Sequence, residues 1–461
     1  MIDLNRFFNP RSIAVIGASR SPQKIGYVVL DNLQRARYQG CLYAVNPNIE
    51  RVLGLHSYAS VLDIDEVPDL AILAVPAAAV LSALDECGRK GVRAAVVITA
   101  GFRETGPEGA AVERELVECA RRYGMRLIGP NSVGIINAAI GMNATFAETT
   151  PLQFDVSMLS QSGAVATAIL DWARSIDLGF AKFVSLGNMA DLNDVDCLDY
   201  LGDDPQTKII IGYLEGITDG RRFMDVARRV TASKPVILIK VGTTGGGARA
   251  ASSHTGALAS SDAIVDGAFR QAGIVRAATM AELFDYTLCF SFSTLPRGPR
   301  VGVVTNAGGP AVMASDAIER VGLKLAPLSR DTMLALKERL PAAAATTNPV
   351  DLLGDAGADR YQLALEALAA DDTVDSLLVL LTPQRVTEPE RTARVISYLA
   401  REFAKPLIAV FMGGEAVDRG RKLLDEARVP VYAYPERAVQ ALAAMCQYTK
   451  YLEETAIAGA H

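Results

Sequence analysis

Three segments of the chain share one pattern, in which a short apolar run ends at a turn of small residues and an amphipathic helix follows. The runs are SIAVI (12–16), VSML (156–159) and VGVVT (301–305), and the turns after them read GAS, SQSGA and NAGG. An apolar run of this length before a turn and a helix is typical of a strand in a parallel sheet. The pattern therefore predicts an α/β fold with three doubly wound domains.

Further apolar runs follow the first one at α/β spacing, each ending in Pro, Gly, Asn or Thr, and helical patterns separate them. In a doubly wound sheet the ligand-binding loops lie at the carboxyl ends of the strands. We therefore expect the loops after these runs to line one crevice. The loops begin after Val45, Val75, Ile98 and Ile128.

The prolines and arginines of STLPRGPR (293–300) indicate a domain boundary. Later apolar runs at 376–383, 405–414 and 429–435 extend a sheet of the last domain. The sequence thus predicts domains at 1–148, 149–292 and 293–461.

Composition limits the partners and the location of the protein. The chain has 461 residues, 50% of them hydrophobic, and a net charge of -6. A chain this long is expected to form several domains, and its acidity argues against nucleic acid or an anionic membrane as a partner. No leader-like start or membrane-spanning run is visible. The six scattered cysteines are typical of reduced thiols in the cytoplasm, and no metal site is predicted.

The segment RAASSHTGALASSD (249–262) holds His254, one of only three histidines. Small residues surround it and would let a ligand come close, and the glycines 245–247 precede it. A histidine in this setting could take a proton, bind a metal or receive a phosphoryl group. The alternative is a loop histidine without chemistry.

Two of the turns place small residues at a helix start, where free backbone N–H groups and the helix dipole favour an anion. The alternative is an ordinary N-cap, since serine and glycine are common there. The candidate phosphate-binding residues are Ser160, Ser162, Gly163, Ala164, Gly308 and Gly309.

Glu215 follows the buried run 209–214, where a solvated carboxylate would be an unusual choice. A carboxylate in this place could hydrogen-bond an imidazole N–H and stabilise its charged form. The alternative is a surface loop residue or a helix cap. The nearby acidic group of Asp191, Asp194 and Asp196 is expected to be a solvated loop rather than a metal site.

The first turn argues against one class of enzyme. Gly17 and Ser19, with Gly26 further on, depart from the GxGxxG fingerprint of dinucleotide-binding folds. An NAD(P)-dependent oxidoreductase is therefore disfavoured.

Together these residues resemble the alpha subunit of the NDP-forming acyl-CoA synthetases, in particular the ADP-forming acetyl-CoA synthetases, which are relatives of succinyl-CoA synthetase. The resemblance extends over nearly the whole chain, and its most specific stretch is ARAASSHTGALA, where His254 matches the family's phosphorylated histidine. SQSGA and TNAGGPA match the two segments whose helices point at that histidine. Glu215 in YLEG matches its carboxylate partner.

The resemblance also implies an N-terminal Rossmann-like domain that binds coenzyme A, followed by two flavodoxin-like ligase domains. The loops IGAS, VNP, ITAGF and GPNSVG are similar to the family's coenzyme A loops. The implied coenzyme A residues are Gly17, Ala18, Ser19, Lys24, Asn46, Pro47, Val75, Pro76, Ile98, Thr99, Ala100 and Asn131.

The family's nucleotide-binding ATP-grasp domain has no counterpart here. The resemblance therefore implies a separate ATP-grasp beta subunit, in an alpha2beta2 assembly, that binds ADP or ATP with Mg²⁺. The implied reaction interconverts acyl-CoA, ADP and phosphate with acid, ATP and coenzyme A. The alternative is a regulatory protein that binds coenzyme A or acyl-CoA without catalysis. The identity of the acid stays open.

Overall fold

The structure is a computed structural model that describes residues 4–148, 152–176, 178–247, 249 and 262–458. The chain divides into two compact units, Met1–Arg276 and Ala277–His461. Mostly parallel sheets with flanking helices make up both units, which confirms the predicted α/β class.

The first sheet of the first unit has seven strands. They are β1 (Ser12–Ile16), β2 (Cys41–Val45), β3 (Arg51–Val52), β4 (Leu55–Tyr58), β5 (Leu70–Leu73), β6 (Ala94–Val97) and β7 (Arg126–Ile128). Their order is β3-β4-β2-β1-β5-β6-β7, and every pair is parallel except β3 with β4. The chain leaves β1 towards β2 on one side and later returns to β5 on the other. The β1/β5 boundary is thus the switch point, where ligands bind in such sheets.

The helices around this sheet bury one apolar face each. In α2 (Ile25–Arg35), for example, Val29, Leu30 and Leu33 are buried, whereas Val28 is only partly buried. Helix α3 ends at Gly91, whose φ of 101° suits a glycine cap, and α4 begins at Pro107. The helices are α1 (Asn5–Phe8), α2 (Ile25–Arg35), α3 (Ala77–Lys90) and α4 (Pro107–Arg122).

The second sheet of this unit also has seven strands. They are β8 (Gly134–Asn137), β9 (Met142–Thr145), β10 (Val156–Ser160), β11 (Lys182–Ser185), β12 (Ile209–Leu214), β13 (Val236–Lys240) and β14 (Val275–Ala277). The order β14-β13-β12-β10-β11-β8-β9 places its switch point between β10 and β12. The helices are α5 (Gly163–Ser175), α6 (Asp194–Asp203), α7 (Gly220–Thr231) and α8 (Asp262–Gln271).

The second unit has one six-stranded parallel sheet. Its strands are β15 (Arg300–Thr305), β16 (Lys324–Leu325), β17 (Val350–Asp351), β18 (Ser376–Leu381), β19 (Leu407–Phe411) and β20 (Val431–Tyr432). Strand β15 pairs with β18 on one side and with β16 and β17 on the other, so the switch point lies at β15/β18.

Seven helices of the second unit flank this sheet or extend from it. They are α9 (Met280–Phe292), α10 (Gly308–Arg320), α11 (Arg330–Arg339), α12 (Ala358–Ala370), α13 (Pro389–Glu402), α14 (Glu415–Glu426) and α15 (Pro435–Ala458).

Helix α9 lies in the second unit, although the sequence analysis assigned it to the second domain. Its Asp285 accepts two hydrogen bonds from Arg437 of α15, at 2.8 and 2.5 Å, and the Tyr432 hydroxyl donates to the Asp285 carbonyl at 2.7 Å. The division into three domains at 148/149 and 292/293 stays a proposal, because the two compact units are a coarser division than three domains.

The acidic group after β11 differs from the expected solvated loop. Asp191 accepts two hydrogen bonds from Arg126, at 2.7 and 3.1 Å, and one from the Leu127 N–H at 2.9 Å. Asp194 and Asp196 are buried at the start of α6. The expectation was wrong because the charges that compensate Asp191 and Asp196 come from distant parts of the chain, Arg126 and Arg222.

Candidate functional site

A cavity of about 1300 Å³ opens at the carboxyl ends of the strands of the first unit. Every loop expected to line a crevice contributes to its wall, which confirms that geometric prediction. All the candidate coenzyme A residues line it, namely Gly17, Ala18, Ser19, Lys24, Asn46, Pro47, Val75, Pro76, Ile98, Thr99, Ala100 and Asn131. Ser162, Gly163 and Ala164 line the same cavity. The candidate coenzyme A residues and three of the candidate phosphate-binding residues thus line one cavity. Their roles in binding stay predictions.

The turn after β1 is built for close approach. Gly17 has a φ of 95°, and a Cβ there would lie 2.5 Å from the Ala74 carbonyl oxygen. A Cβ on Gly26, in the first turn of α2, would lie 2.0 Å from the Gly17 oxygen. Both positions therefore require glycine. The spacing of these glycines differs from GxGxxG because α2 begins only at Ile25. Its second residue, Gly26, is therefore the one that packs against the Gly17 carbonyl.

Asn46 and Thr99 hold neighbouring loops in place. The Asn46 side-chain amide donates to the Ala18 carbonyl at 2.6 Å, and its oxygen accepts from the Asn48 N–H at 2.8 Å. The Thr99 hydroxyl donates to the Val75 carbonyl at 2.6 Å. These contacts join the loops after β1 and β2, and those after β5 and β6, in the wall of the cavity.

Glu104 and Asn188 support this wall, and the sequence analysis missed both. Glu104 accepts hydrogen bonds from the Gly101 N–H at 2.6 Å and the Asn188 amide at 2.6 Å. The Asn188 amide also donates to Glu113 at 2.7 Å. Burial alone would raise the pKa of Glu104. The hydrogen bonds that Glu104 accepts from Asn188, from the Gly101 N–H and from the Phe102 N–H lower that pKa below its usual value. No sequence signal joins residues this far apart along the chain.

The start of α5 forms another part of the cavity wall. Ser162 is the N-cap, and its hydroxyl accepts from the Val165 N–H at 3.4 Å. Ser160 is fully buried beneath the turn, where its hydroxyl donates to the Ser162 carbonyl at 2.8 Å. Ser162 is therefore a cap and a wall residue at once. The predicted phosphate contact of Ser160 stays a prediction, since this residue does not appear in the cavity wall.

Glu215 comes directly after β12, as the sequence predicted, and is half-buried. Glu215 does not line the cavity. Its backbone N–H donates a hydrogen bond to the side chain of Gln161, which does line the cavity. Burial, and then the charge of Glu215, raise the pKa of Tyr213. Burial lowers the pKa of Lys240, although Asp262 and Glu215 oppose that shift. The carboxylate therefore lies among ionisable groups at the end of the sheet.

The second unit carries the other candidate helix start. Gly308 and Gly309 are exposed at the beginning of α10. Ala307, the N-cap, makes no side-chain cap hydrogen bond. The Thr305 hydroxyl donates to the Ala307 carbonyl at 3.0 Å, as Ser160 does to Ser162 in the first unit. The N-cap side chain therefore leaves the N–H groups of this first turn available to an anion.

His254 lies outside the described residues, as does most of its segment. Its role as a phosphoryl carrier stays a prediction. Upstream of it, Thr244 accepts a hydrogen bond from the Gly247 N–H at 3.1 Å.

Three other features bear on the sequence analysis. Within the described ranges, no helix is long and apolar enough to cross a membrane. The described part of the chain also contains no cluster of three or more histidine, cysteine or acidic side chains placed to hold a metal ion. All six cysteines are described and are free thiols, and burial raises the pKa of Cys87 and Cys289 to about 12.

Comparison with protein-family models gives three matches in the predicted order. A CoA binding domain matches residues 11–138, a succinyl-CoA ligase like flavodoxin domain matches 153–290, and a ligase-CoA domain matches 301–454.

Two named relatives are similar over nearly the whole chain. Acetate–CoA ligase [ADP-forming] II subunit alpha of Pyrococcus furiosus is 45% identical over 97% of this chain and 98% of its own length. Acetate–CoA ligase [ADP-forming] I of Archaeoglobus fulgidus is also 45% identical over 97% of this chain, which spans 64% of that longer relative.

A solved structure gives the same result. Dinucleotide-forming acetyl-coenzyme A synthetase 1 of Ca. Korarchaeum cryptofilum, in complex with phosphate and ADP, matches with a TM-score of 0.94 at 40% identity, over 99% of both chains. The resemblance drawn from the sequence motifs is thereby confirmed. The chain belongs to the family of ADP-forming acetate–CoA ligases, and it corresponds in extent to the members named as alpha subunits.

Proposed function

We propose that the chain is the alpha-type subunit of an acid–CoA ligase, an acid–thiol ligase that interconverts acyl-CoA, ADP and phosphate with acid, ATP and coenzyme A. One observation carries the proposal: a single cavity is lined both by the glycine turn after β1 and by the start of α5. A coenzyme A site and a phosphate site would thus adjoin, as acyl transfer to phosphate requires.

The cavity suits coenzyme A as a substrate. Its volume of about 1300 Å³ exceeds that of most drug-sized pockets. The glycine turn 17–19 would face the phosphates, with Lys24 as a nearby cation. Asn46 and Pro47 would contact the adenosine end, and residues 99–102 the pantetheine arm.

The proposed reaction has three reversible steps. A phosphate oxygen bonds to the acyl carbon as the C–S bond breaks, and coenzyme A leaves as a thiolate that takes up a proton. His254 then attacks the phosphorus of the acyl phosphate and releases the acid as a carboxylate. Finally, a β-phosphate oxygen of ADP takes the phosphoryl group, forming ATP and restoring the histidine. Imidazole suits this role because its neutral form is nucleophilic near neutral pH.

The phosphoryl group carries negative charge that the protein must balance. The start of α5 would supply free N–H groups and about half a positive charge. Gly308 and Gly309 at the start of α10 would do the same. Glu215 would accept the other imidazole N–H and stabilise the charged ring.

The proposed enzyme needs a second chain. An ATP-grasp beta subunit would bind ADP or ATP with Mg²⁺, in an alpha2beta2 assembly within the cytoplasm. Names such as "subunit alpha" among the relatives support a partner of this kind. The nucleotide chemistry of this chain would then depend on the partner.

Co-expression with a candidate ATP-grasp chain tests the proposal. We expect acyl-CoA to form from ATP, coenzyme A and at least one acid in a screen that includes acetate, 4-hydroxybutyrate and ferulate. Replacement of His254 by alanine should abolish turnover. If the protein binds coenzyme A tightly but turns over none of the acids, it is instead a regulatory protein that binds coenzyme A without catalysis.

A further inference from the structure

Gln161 makes contacts that its place in the SQSGA turn does not suggest. Its side-chain oxygen accepts hydrogen bonds from the N–H groups of Glu215 at 2.7 Å and Gly216 at 3.0 Å, and its amide donates to the Gly216 carbonyl at 2.8 Å. Its own N–H donates to the Tyr213 carbonyl at 3.1 Å. One nearly buried side chain, 9% exposed, thus ties the turn before α5 to the end of β12.

The second unit repeats this arrangement at its own switch point. Asn306 follows β15 as Gln161 follows β10, and it is 1% exposed. Its amide donates to the Thr382 carbonyl at 2.8 Å, and its oxygen accepts from the Thr382 N–H at 2.9 Å. Thr382 follows β18 as Glu215 follows β12. In both units, a side-chain amide in the turn before a helix therefore hydrogen-bonds the backbone at the end of the neighbouring strand.

We propose that Gln161 is a positioning residue for phosphoryl transfer, because its side-chain amide fixes the Glu215 backbone relative to the first turn of α5. This role rests on the proposed function. Gln161 lines the cavity and binds the backbone of Glu215, which does not line it. Misplacement by about 1 Å of a group that acts on a reacting centre costs on the order of a hundredfold in rate. Loss of the amide should therefore slow phosphoryl transfer.

Ionisable groups surround Glu215, so a new charge at position 161 would act on a carboxylate that already interacts with other charges. Tyr213 on β12 and Lys240 on β13 interact with its charge. Asp262 and Arg276 act on Lys240 in turn. A carboxylate in place of the Gln161 amide would add one more negative charge beside Glu215, which raises the pKa of a carboxyl group.

The test measures labelling of the whole chain by ³²P-phosphate and acetyl-CoA, as a rate at several pH values. Gln161→Met keeps the side-chain length but removes all three hydrogen bonds, and we expect labelling to slow by up to about a hundredfold. Gln161→Glu should move the acidic limb of the pH profile to higher pH. Coenzyme A affinity, measured by calorimetry, should fall by much less than the labelling rate in both variants, because Gln161 lies in the cavity wall but is not among the candidate coenzyme A residues.

Asn32→Leu is the matched control, because Asn32 is also a buried amide that donates to backbone carbonyls, those of Thr145 and Ala147. It should lower thermal stability without changing the pH profile. Wild-type rates in Gln161→Met, or an unmoved pH limb in Gln161→Glu, would overturn the positioning role. Parallel losses of rate, coenzyme A affinity and stability in Gln161→Met would overturn it too. A wild-type protein that stays unlabelled with acetyl-CoA and with the acyl-CoA of every other acid screened would contradict the proposed function itself, and the positioning role with it.

Discussion

Asp194, the first residue of α6, is a carboxylate in an unfavourable environment. It is 1% exposed, and neither of its side-chain oxygens has a hydrogen-bond partner among the described residues. Burial raises its pKa from 3.8 to about 6, and the neighbouring N–H groups and Arg222 oppose this shift without cancelling it. The stability that comes with the protonated form is therefore fully present below about pH 4 and is lost as the pH rises through about 6.

We expect Asp194→Asn to raise the free energy of unfolding at pH 8 by about 1 to 3 kcal/mol, because an amide has no charge to bury. At pH 4 the substitution should have little effect, since Asp194 is then largely protonated. Urea unfolding at both pH values checks this. An equal change at pH 4 and pH 8 would contradict the assigned cause.

Gly17 lies too close to the Ala74 carbonyl to carry a side chain. Gly17→Ala would place a Cβ 2.5 Å from the Ala74 oxygen at a φ of 95°, whereas Gly54, with a φ of 82°, has nothing within 4 Å of its Cβ position. We expect Gly54→Ala to cost about 1 kcal/mol of unfolding free energy and Gly17→Ala about 1 to 3 kcal/mol more. Only Gly17→Ala should also weaken coenzyme A binding, as measured by calorimetry. Equal effects of the two substitutions would mean that the close approach is unimportant.

The sequence predicted individual site residues where a local pattern carried them. Gly17 and Thr99 follow apolar runs, and strand ends of a parallel sheet meet at one edge. Glu104, Asn188 and Gln161 could not be predicted in the same way. Their roles depend on hydrogen bonds to residues 54 or more positions away, and several pairings would have been equally compatible with the sequence.

At the scale of elements, the strands and helices next to the turns match the predicted pattern closely. The run predicted at 156–159 became β10, and the helix predicted after the turn GAS begins at Ile25. The placement of β8 and β9 could not be predicted. These strands form an antiparallel hairpin on β11 in the second sheet, and nothing local specifies which sheet edge a hairpin joins.

The helix start of α5 can be tested against another helix with the same cap. Ser162 and Ser329 both accept an N–H hydrogen bond at an N-cap, at 3.4 and 3.2 Å, and Ser329 begins α11. We expect either serine-to-alanine change to cost about 1 kcal/mol of unfolding free energy. Only Ser162→Ala should also slow phosphoenzyme formation, because Ser162 lines the cavity. Equal slowing in both variants, measured by ³²P labelling, would contradict a local role for the α5 start.

At the scale of the whole molecule, the candidate coenzyme A residues all lie in the first unit. Hydrogen exchange followed by mass spectrometry should therefore show protection by coenzyme A in segments 17–19, 46–48, 99–101 and 131–133. The strands β15, β18 and β19 of the second unit should exchange as they do in the free protein. Protection confined to the second unit would contradict the assignment of the cavity.

In the proposed mechanism, His254 carries a phosphoryl group from acyl phosphate to nucleotide. The most direct measurement incubates the purified chain with acetyl-CoA and ³²P-phosphate and locates the label by peptide mapping. We expect a label that is stable in base and labile in acid, on the peptide that contains His254, and absent from His254→Ala. A label on any other residue, or none with any acyl-CoA of the acids screened, would contradict the account.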